Sequence, residues 1–113
     1  MERMIYIPER GDIVKLNLNP TRGHEQSGYR PMIIITPKKL NRQSGLATGC
    51  PITSTIRHNP FEVIINTSKI KGAVLADHVR TIDWTARRVK HVDEAPTEII
   101  QNVCHKLELL IKG

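Results

Sequence analysis

The spacing of apolar positions changes character along the chain. From Gly11-Asp12 onward, Val14, Leu16 and Leu18 alternate with Lys15 and Asn17, the period of two expected of a strand with one buried face. Asn19-Pro20-Thr21 ends that run, and residues 22–29 are polar. Next comes Pro31-Met32-Ile33-Ile34-Ile35-Thr36, whose unbroken β-branched character predicts a short strand buried on both faces and stopped by Pro37. Ala47 to Ile52, Phe61 to Ile65, Val74-Leu75 and Val79 to Ile82 predict further short strands. Pro51 and Pro60 are expected at strand edges or ends, because proline has no N–H to give to a ladder.

From Pro96 the period lengthens. Ile99, Val103, Leu107 and Leu110 recur at helical spacing, backed by Ile100, Cys104 and Ile111, which predicts one long amphipathic helix. Pro96 suits the first helical position and Gly113 the position past the last turn, while Ala95 makes a poor N-cap. Short strands followed by a single terminal helix bury their apolar surface when the sheet curls on itself and the helix covers one opening. The expected fold is therefore mainly β with a C-terminal α-helix, a small and partly open β-barrel.

A length of 113 residues fills one core, so a single domain over 1–113 is expected. The stretch from Met1 meets Pro8, Glu9 and Arg10 before any apolar run long enough for a signal peptide, and no later run is long enough to span a bilayer; no membrane segment and a cytoplasmic address are expected. Cys50 and Cys104 are too far apart for a metal-binding pair and too few for a disulfide framework, and read as ordinary thiols filling the core. The net charge of +6 lies wholly in residues 1–95, because Lys106 and Lys112 balance Glu98 and Glu108 beyond them. An excess of this size favours an anionic partner such as a phosphate backbone or an acidic protein.

Several residues carry candidate chemistry. The segment Thr21 to Pro31 is longer than a hairpin needs, with Gly23 and Gly28 able to hinge and His24, Glu25 and Gln26 offering imidazole, acid and amide. Pro31 holds Arg30 extended at the start of a buried strand, which fixes a guanidinium at the barrel rim, where its planar fork suits phosphate. Thr53, Ser54 and Thr55 end another strand with three hydroxyls, able to donate to phosphate or to cap a turn. Asp77-His78-Val79-Arg80 offers an acid, an imidazole and a cation, but in a straight strand Asp77 and Val79 face away from His78 and Arg80, so the four reach one site only if the backbone bends. His58, His91 and His105 show no ligand spacing for zinc, and neither metal nor cofactor is expected. With only Tyr6, Tyr29, Phe61 and Trp84 as aromatics, a broad base-stacking platform is not expected, and Phe61 and Trp84 read as core or dimer-contact residues.

Taken in order, Gly11-Asp12, Pro20-Thr21, Gly23, Glu25-Gln26, Gly28, Arg30-Pro31, Thr36-Pro37, Pro51 with Thr53-Ser54, Pro60 to Val63, Gly72, Ala76-Asp77 and Arg80 to Trp84 resemble the MazF/PemK (Kid) family of toxin ribonucleases from toxin-antitoxin pairs. The likeness runs from Gly11 through the closing helix. It implies an SH3-like barrel of the MazF/Kid/CcdB type, assembled as a homodimer, that cuts single-stranded RNA at a short sequence and is neutralised by a cognate antitoxin laying an extended acidic segment over the basic site. It also implies catalytic roles for Arg30 and Thr53; Glu25, Gln26, His24, Ser54, Asp77 and Arg80 are, on their own chemistry, further catalytic or RNA-binding candidates. Asn19 departs from the aspartate common before the Pro-Thr pair, and the basic Arg57-His58 is a second departure.

The implied reaction is attack of the RNA 2′-hydroxyl on the neighbouring phosphorus, leaving 2′,3′-cyclic phosphate and 5′-hydroxyl ends without a metal. Asp77 or Glu25 is chemically better suited than arginine to take the proton, given an arginine pKa above about 12. Two other readings remain: a toxin on the same barrel that poisons DNA gyrase, and an RNA-binding barrel without catalysis. The Arg30 and Thr53 combination weighs against the first, and the scarcity of aromatics against the second.

Overall fold

The computed structural model describes residues 5–113. Its strands are β1 (Asp12–Asn17), β2 (Tyr29–Ile34), β3 (Leu46–Thr53), β4 (Glu62–Asn66), β5 (Lys71–Leu75), β6 (Arg80–Asp83) and β7 (Lys90–Glu94), with helices α1 (Lys38–Ser44) and α2 (Thr97–Lys112). A 3-10 turn at Ala76–His78 separates β5 from β6. The strands form one curled antiparallel sheet in the order β4-β5-β3-β2-β1-β7, with β6 also paired to β3. A partly open barrel with one long C-terminal helix results, as the sequence predicts.

The curl originates in β3. One edge pairs with β2, Met32 opposite Pro51 and Ile34 opposite Gly49. Its other edge serves two strands, β6 over Leu46 to Gly49 and β5 over Ile52 and Thr53. Pro51 thus sits inside a central strand, where a strand edge or end is expected for it. It falls where β3 exchanges one neighbour for the other, so its missing N–H interrupts no continuous ladder on that edge.

Two apolar clusters lie on opposite faces of the β1-β2-β3 layer. Ile13, Ile33, Cys50, Ile52, Val74, Val103 and Leu107 fill one beneath α2, and Val14, Leu16, Met32, Ile34, Ile82 and Trp84 fill the other. Met32, Ile33 and Ile34 are all fully buried, as their unbroken apolar run requires. Trp84 is a core residue whose indole N–H donates to the Asn41 carbonyl at 2.9 Å.

Some expectations change. Cys50 is buried, and desolvation pushes its thiol up to about 12. Cys104 is exposed instead of filling the core, because α2 buries only Val103 and Leu107 fully and leaves Leu109, Leu110 and Ile111 to solvent. The helix starts at Thr97 with Pro96 as its N-cap, one residue later than Pro96 as first helical position would place it. Helix α1 and strand β7 carry almost no apolar pattern and stand outside the elements expected from the sequence. No helix among the described residues is long and apolar enough to cross a membrane.

Candidate active site

Three adjoining recesses form one groove across the rim of the barrel. The first, about 320 Å³, is lined by His24, Glu25, Gln26, Pro51 and the whole run Asp77, His78, Val79 and Arg80. The second, about 270 Å³, shares Gln26 and His78 with the first and adds Arg30, Thr53, Thr55, Arg57, Asn59, Glu62 and Leu75. The third, about 220 Å³, shares Arg30 and Thr53 with the second and adds Lys15, Tyr29, Ser54, Lys69 and Lys71. All eight candidate site residues therefore line this groove.

Arg30 and Thr53 meet because β2 and β3 are neighbours. Met32 faces Pro51, and carrying that register two positions outward brings Arg30 opposite Thr53 at the rim. The Arg30 Nε donates to the Ser27 carbonyl at 3.0 Å, which orients the guanidinium while its terminal nitrogens stay without a protein acceptor among the described residues. Thr53 is 8% exposed, and its hydroxyl oxygen accepts the Thr55 N–H at 3.1 Å, so the hydroxyl proton remains available to donate. Opposing strands thus present a fixed cation and a fixed donor to the same space.

The backbone bend that Asp77 to Arg80 require is supplied by the 3-10 turn Ala76–His78. It breaks strand alternation, so side chains that would point to opposite faces line one recess. Arg80 is held there by its Nη1, which donates to the Leu18 carbonyl at 3.0 Å.

The β1–β2 loop is folded by its own polar groups. The Glu25 carboxylate accepts the Arg22 N–H at 3.0 Å. The Asn19 side-chain oxygen accepts the Gly28 N–H at 3.1 Å, and Gly28 adopts a φ of +81° that favours glycine. Accepting that N–H needs only an oxygen, which an amide offers as well as a carboxylate.

Sequence reasoning missed Arg57, Glu62 and the three lysines as groove residues, because they come from separate strands and turns with no shared motif. Glu62 is a brace: its carboxylate oxygens accept the N–H of Arg57 at 2.9 Å and of Asn59 at 3.2 Å. Those bonds, the one from Arg57 foremost, hold its carboxyl below the usual glutamate range. The loop after β3 is thereby folded so that Thr55, Arg57 and Asn59 face the recess with Arg30.

Away from the groove, Asp12, His91 and Glu94 each place one potential ligand atom within 4.8 Å of the others. The Asp12 Oδ2 already accepts the Tyr6 hydroxyl and the Glu9 N–H, and burial, with Asp12 beside it, pushes the Tyr6 phenol well above its ordinary value. This grouping reads as a polar clasp between the N-terminal segment and β1.

Comparison with known proteins places the whole architecture. Residues 9–111 match the family of PemK-like, MazF-like toxins of type II toxin-antitoxin systems. The endoribonuclease toxin MazF of Escherichia coli (strain K12) is 33% identical over 106 residues, covering 94% of this chain and 96% of that protein. The crystal structure of MazF from Deinococcus radiodurans superposes with a TM-score of 0.92 at 40% identity, covering 96% of this chain and 100% of that one. A second structure from that organism, a MazE-MazF complex, superposes at 0.85 with 40% identity over 96% of this chain and 98% of that one. The chain belongs to the PemK-like, MazF-like toxins of type II toxin-antitoxin systems.

Proposed function

We propose that this protein is an endoribonuclease toxin that cuts single-stranded RNA at the junction of Arg30 and Thr53. The observation carrying this reading is that a guanidinium with free terminal nitrogens and a buried hydroxyl with a free proton, distant in sequence, line the same two recesses. Kinship with proteins named as endoribonucleases supports it.

In the proposed reaction the 2′-oxygen of the RNA forms a bond to the adjacent phosphorus as the bond from phosphorus to the 5′-oxygen breaks. The products are a 2′,3′-cyclic phosphate and a 5′-hydroxyl, the latter formed when the departing oxygen takes a proton. Negative charge builds on the non-bridging oxygens, where Arg30 supplies a bidentate cation and Thr53 a hydrogen bond. A fixed guanidinium can provide this stabilisation without a metal ion. The proton of the 2′-hydroxyl passes to a base: Asp77 and Glu25 line the first recess, and His78 lines both that recess and the one holding Arg30 and Thr53. The Glu62 carboxylate is a poorer base, because its bonds to the Arg57 and Asn59 N–H groups hold it below the usual glutamate range.

The site is assembled in a cytoplasmic homodimer, and a cognate antitoxin covers the groove with an extended acidic segment, drawn by the same positive charge that draws RNA. The presence of a similar chain in a MazE-MazF complex supports a protein partner of this kind.

The test is incubation of the purified protein with end-labelled single-stranded RNA in excess chelator. Cleavage to cyclic-phosphate ends, and resistance of an oligonucleotide with 2′-deoxyribose at the cleaved position, are expected. Intact RNA, or cleavage of the deoxy-substituted strand at the same position, would overturn the mechanism. Separate Asp77→Asn, Glu25→Gln and His78→Gln variants assign the base through the loss of one limb of the pH-rate profile.

A further inference from the structure

The two ends of the groove differ in kind. The first recess mixes imidazole, amide and carboxylate groups with the cation of Arg80 and apolar faces from Pro51 and Val79, a set suited to base edges. The third contains Lys15, Arg30, Lys69 and Lys71 and no carboxylate. Among the described residues the only ion pairs are His91 with Asp12 and Lys112 with Glu108, so no acid within 4.0 Å neutralises these lysines.

Their placement carries a cost. Lys15 lies opposite Lys90 across the β1–β7 ladder, and like charges directly opposed on one sheet face destabilise it. Lys69 Nζ donates to the Val92 carbonyl at 3.2 Å, which pins that ammonium near the recess. The Asp93 carboxylate accepts the Thr67 hydroxyl at 2.6 Å and forms no ion pair with Lys69 within 4.0 Å. That hydrogen bond foremost, with Lys69 adding to it, holds the carboxyl below the usual aspartate range. The result is a cluster of cations drawn from β1, the β4–β5 turn and β5, beside the proposed cleavage point and open to solvent.

We propose that Lys15, Lys69 and Lys71 form a phosphate-binding subsite that grips the RNA backbone on one side of the cleaved linkage without reading sequence. The proposal rests on the ribonuclease reading above and gives the groove a direction: bases are discriminated at the His24–Asp77 end, and phosphates are held at the lysine end. Ammonium groups act as point charges on phosphate and carry no base information, so the subsite contributes affinity that is strongly salt-dependent.

The test is equilibrium binding of a single-stranded RNA made uncleavable by one 2′-deoxyribose at the cleaved position, measured across a salt series. Replacing Lys15, Lys69 and Lys71 together by Gln should reduce the slope of log affinity against log salt by about 2, at roughly 0.7 for each phosphate of a single strand that is no longer neutralised. The weakening should be equal for oligonucleotides that differ in the bases bordering the cleavage site. The double variant Lys69→Gln/Lys71→Gln, which leaves half-buried Lys15 intact, should lower the slope by about 1.4 and guards against misfolding of the triple variant. An unchanged slope in the double variant, or a weakening that depends on base identity, would overturn the subsite while wild-type cleavage still upheld the nuclease reading. A wild-type chain that neither binds nor cuts RNA would instead overturn the reading on which the subsite rests.

Discussion

The α-carbon of Gly72 on β5 lies directly against the carbonyl group of Thr53 on β3. A β-carbon at position 72 would overlap that oxygen, stand 2.9 Å from the carbonyl carbon and come within 3.3 Å of the Ser54 α-carbon. Those neighbours are backbone, which cannot swing aside as a side chain can. Gly72→Ala must therefore push β5 and the end of β3 apart, at a cost of about 1–3 kcal/mol in stability. Displacing Thr53 by about an ångström would lower cleavage on the order of 100-fold. Denaturant unfolding alongside single-turnover cleavage checks this: wild-type rates in the folded variant would show that Thr53 need not be held so tightly.

Arg30 gives a cleaner chemical test, because it is only partly buried and, among the described residues, its side chain makes one hydrogen bond to protein, to the Ser27 carbonyl. Arg30→Ala should lower kcat about 100- to 1000-fold, roughly 3–4 kcal/mol of transition-state stabilisation, as for loss of one preorganised donor. Its thermal midpoint should stay close to wild type. Arg30→Lys keeps the charge but loses the planar fork, so it should recover only part of the rate. Full recovery by lysine would mean that charge alone, rather than bidentate geometry, is what the site uses.

These two residues also mark how far the sequence can be read. Arg30 is legible because Pro31 and the apolar run after it fix its backbone at a rim, and Thr53 because a hydroxyl cluster closes an apolar strand. Their meeting depends on pairing between β2 and β3, which apolar periodicity alone does not specify. Helix α1 is illegible for a physical reason: it exposes Leu40 and is anchored through the buried amide of Asn41 rather than an apolar stripe. Strand β7 offers Val92 as its single apolar residue and is placed by its ladder to β1. The turn that gathers Asp77 to Arg80 enters the sequence reading only as a condition, since three residues of 3-10 helix leave no periodic trace.

The loop after β3 should respond to pH through Glu62. Its bonds to the Arg57 and Asn59 N–H groups depress its folded-state pKa below 4.5. Any ordering it provides is therefore fully present above the ordinary glutamate value and is lost as pH falls through the depressed one. Carboxyl-detected NMR should place the Glu62 midpoint under 4.5, with the Arg57 and Asn59 amide shifts moving over the same window. Glu62→Gln should abolish that transition and lower kcat/KM roughly five- to ten-fold, the scale of one weakened hydrogen bond. Amide shifts that ignore Glu62 would show that the loop is held by other interactions.

Asn41 tests whether stability and activity separate in this fold. Its side chain is fully buried, its amide donates to the carbonyls of Pro8 at 2.8 Å and Thr36 at 2.9 Å, and its Oδ1 accepts the Thr36 hydroxyl at 2.7 Å. One amide thus ties the N-terminal segment and the end of β2 to α1, on the Trp84 side of the molecule and away from the groove. Asn41→Ala leaves those carbonyls without their donor in a site that water reaches poorly, at about 3 kcal/mol in total. For a domain of this size that corresponds to a fall of the thermal midpoint on the order of 10 °C. Trp84 donates to the backbone carbonyl of residue 41, a hydrogen bond the substitution does not itself remove, so the second core should persist. The variant should therefore unfold earlier on heating yet cleave RNA at the wild-type rate per folded molecule at low temperature. A fall in both quantities together would show that α1 and the groove are coupled through β3, and that the rim geometry depends on this distant amide.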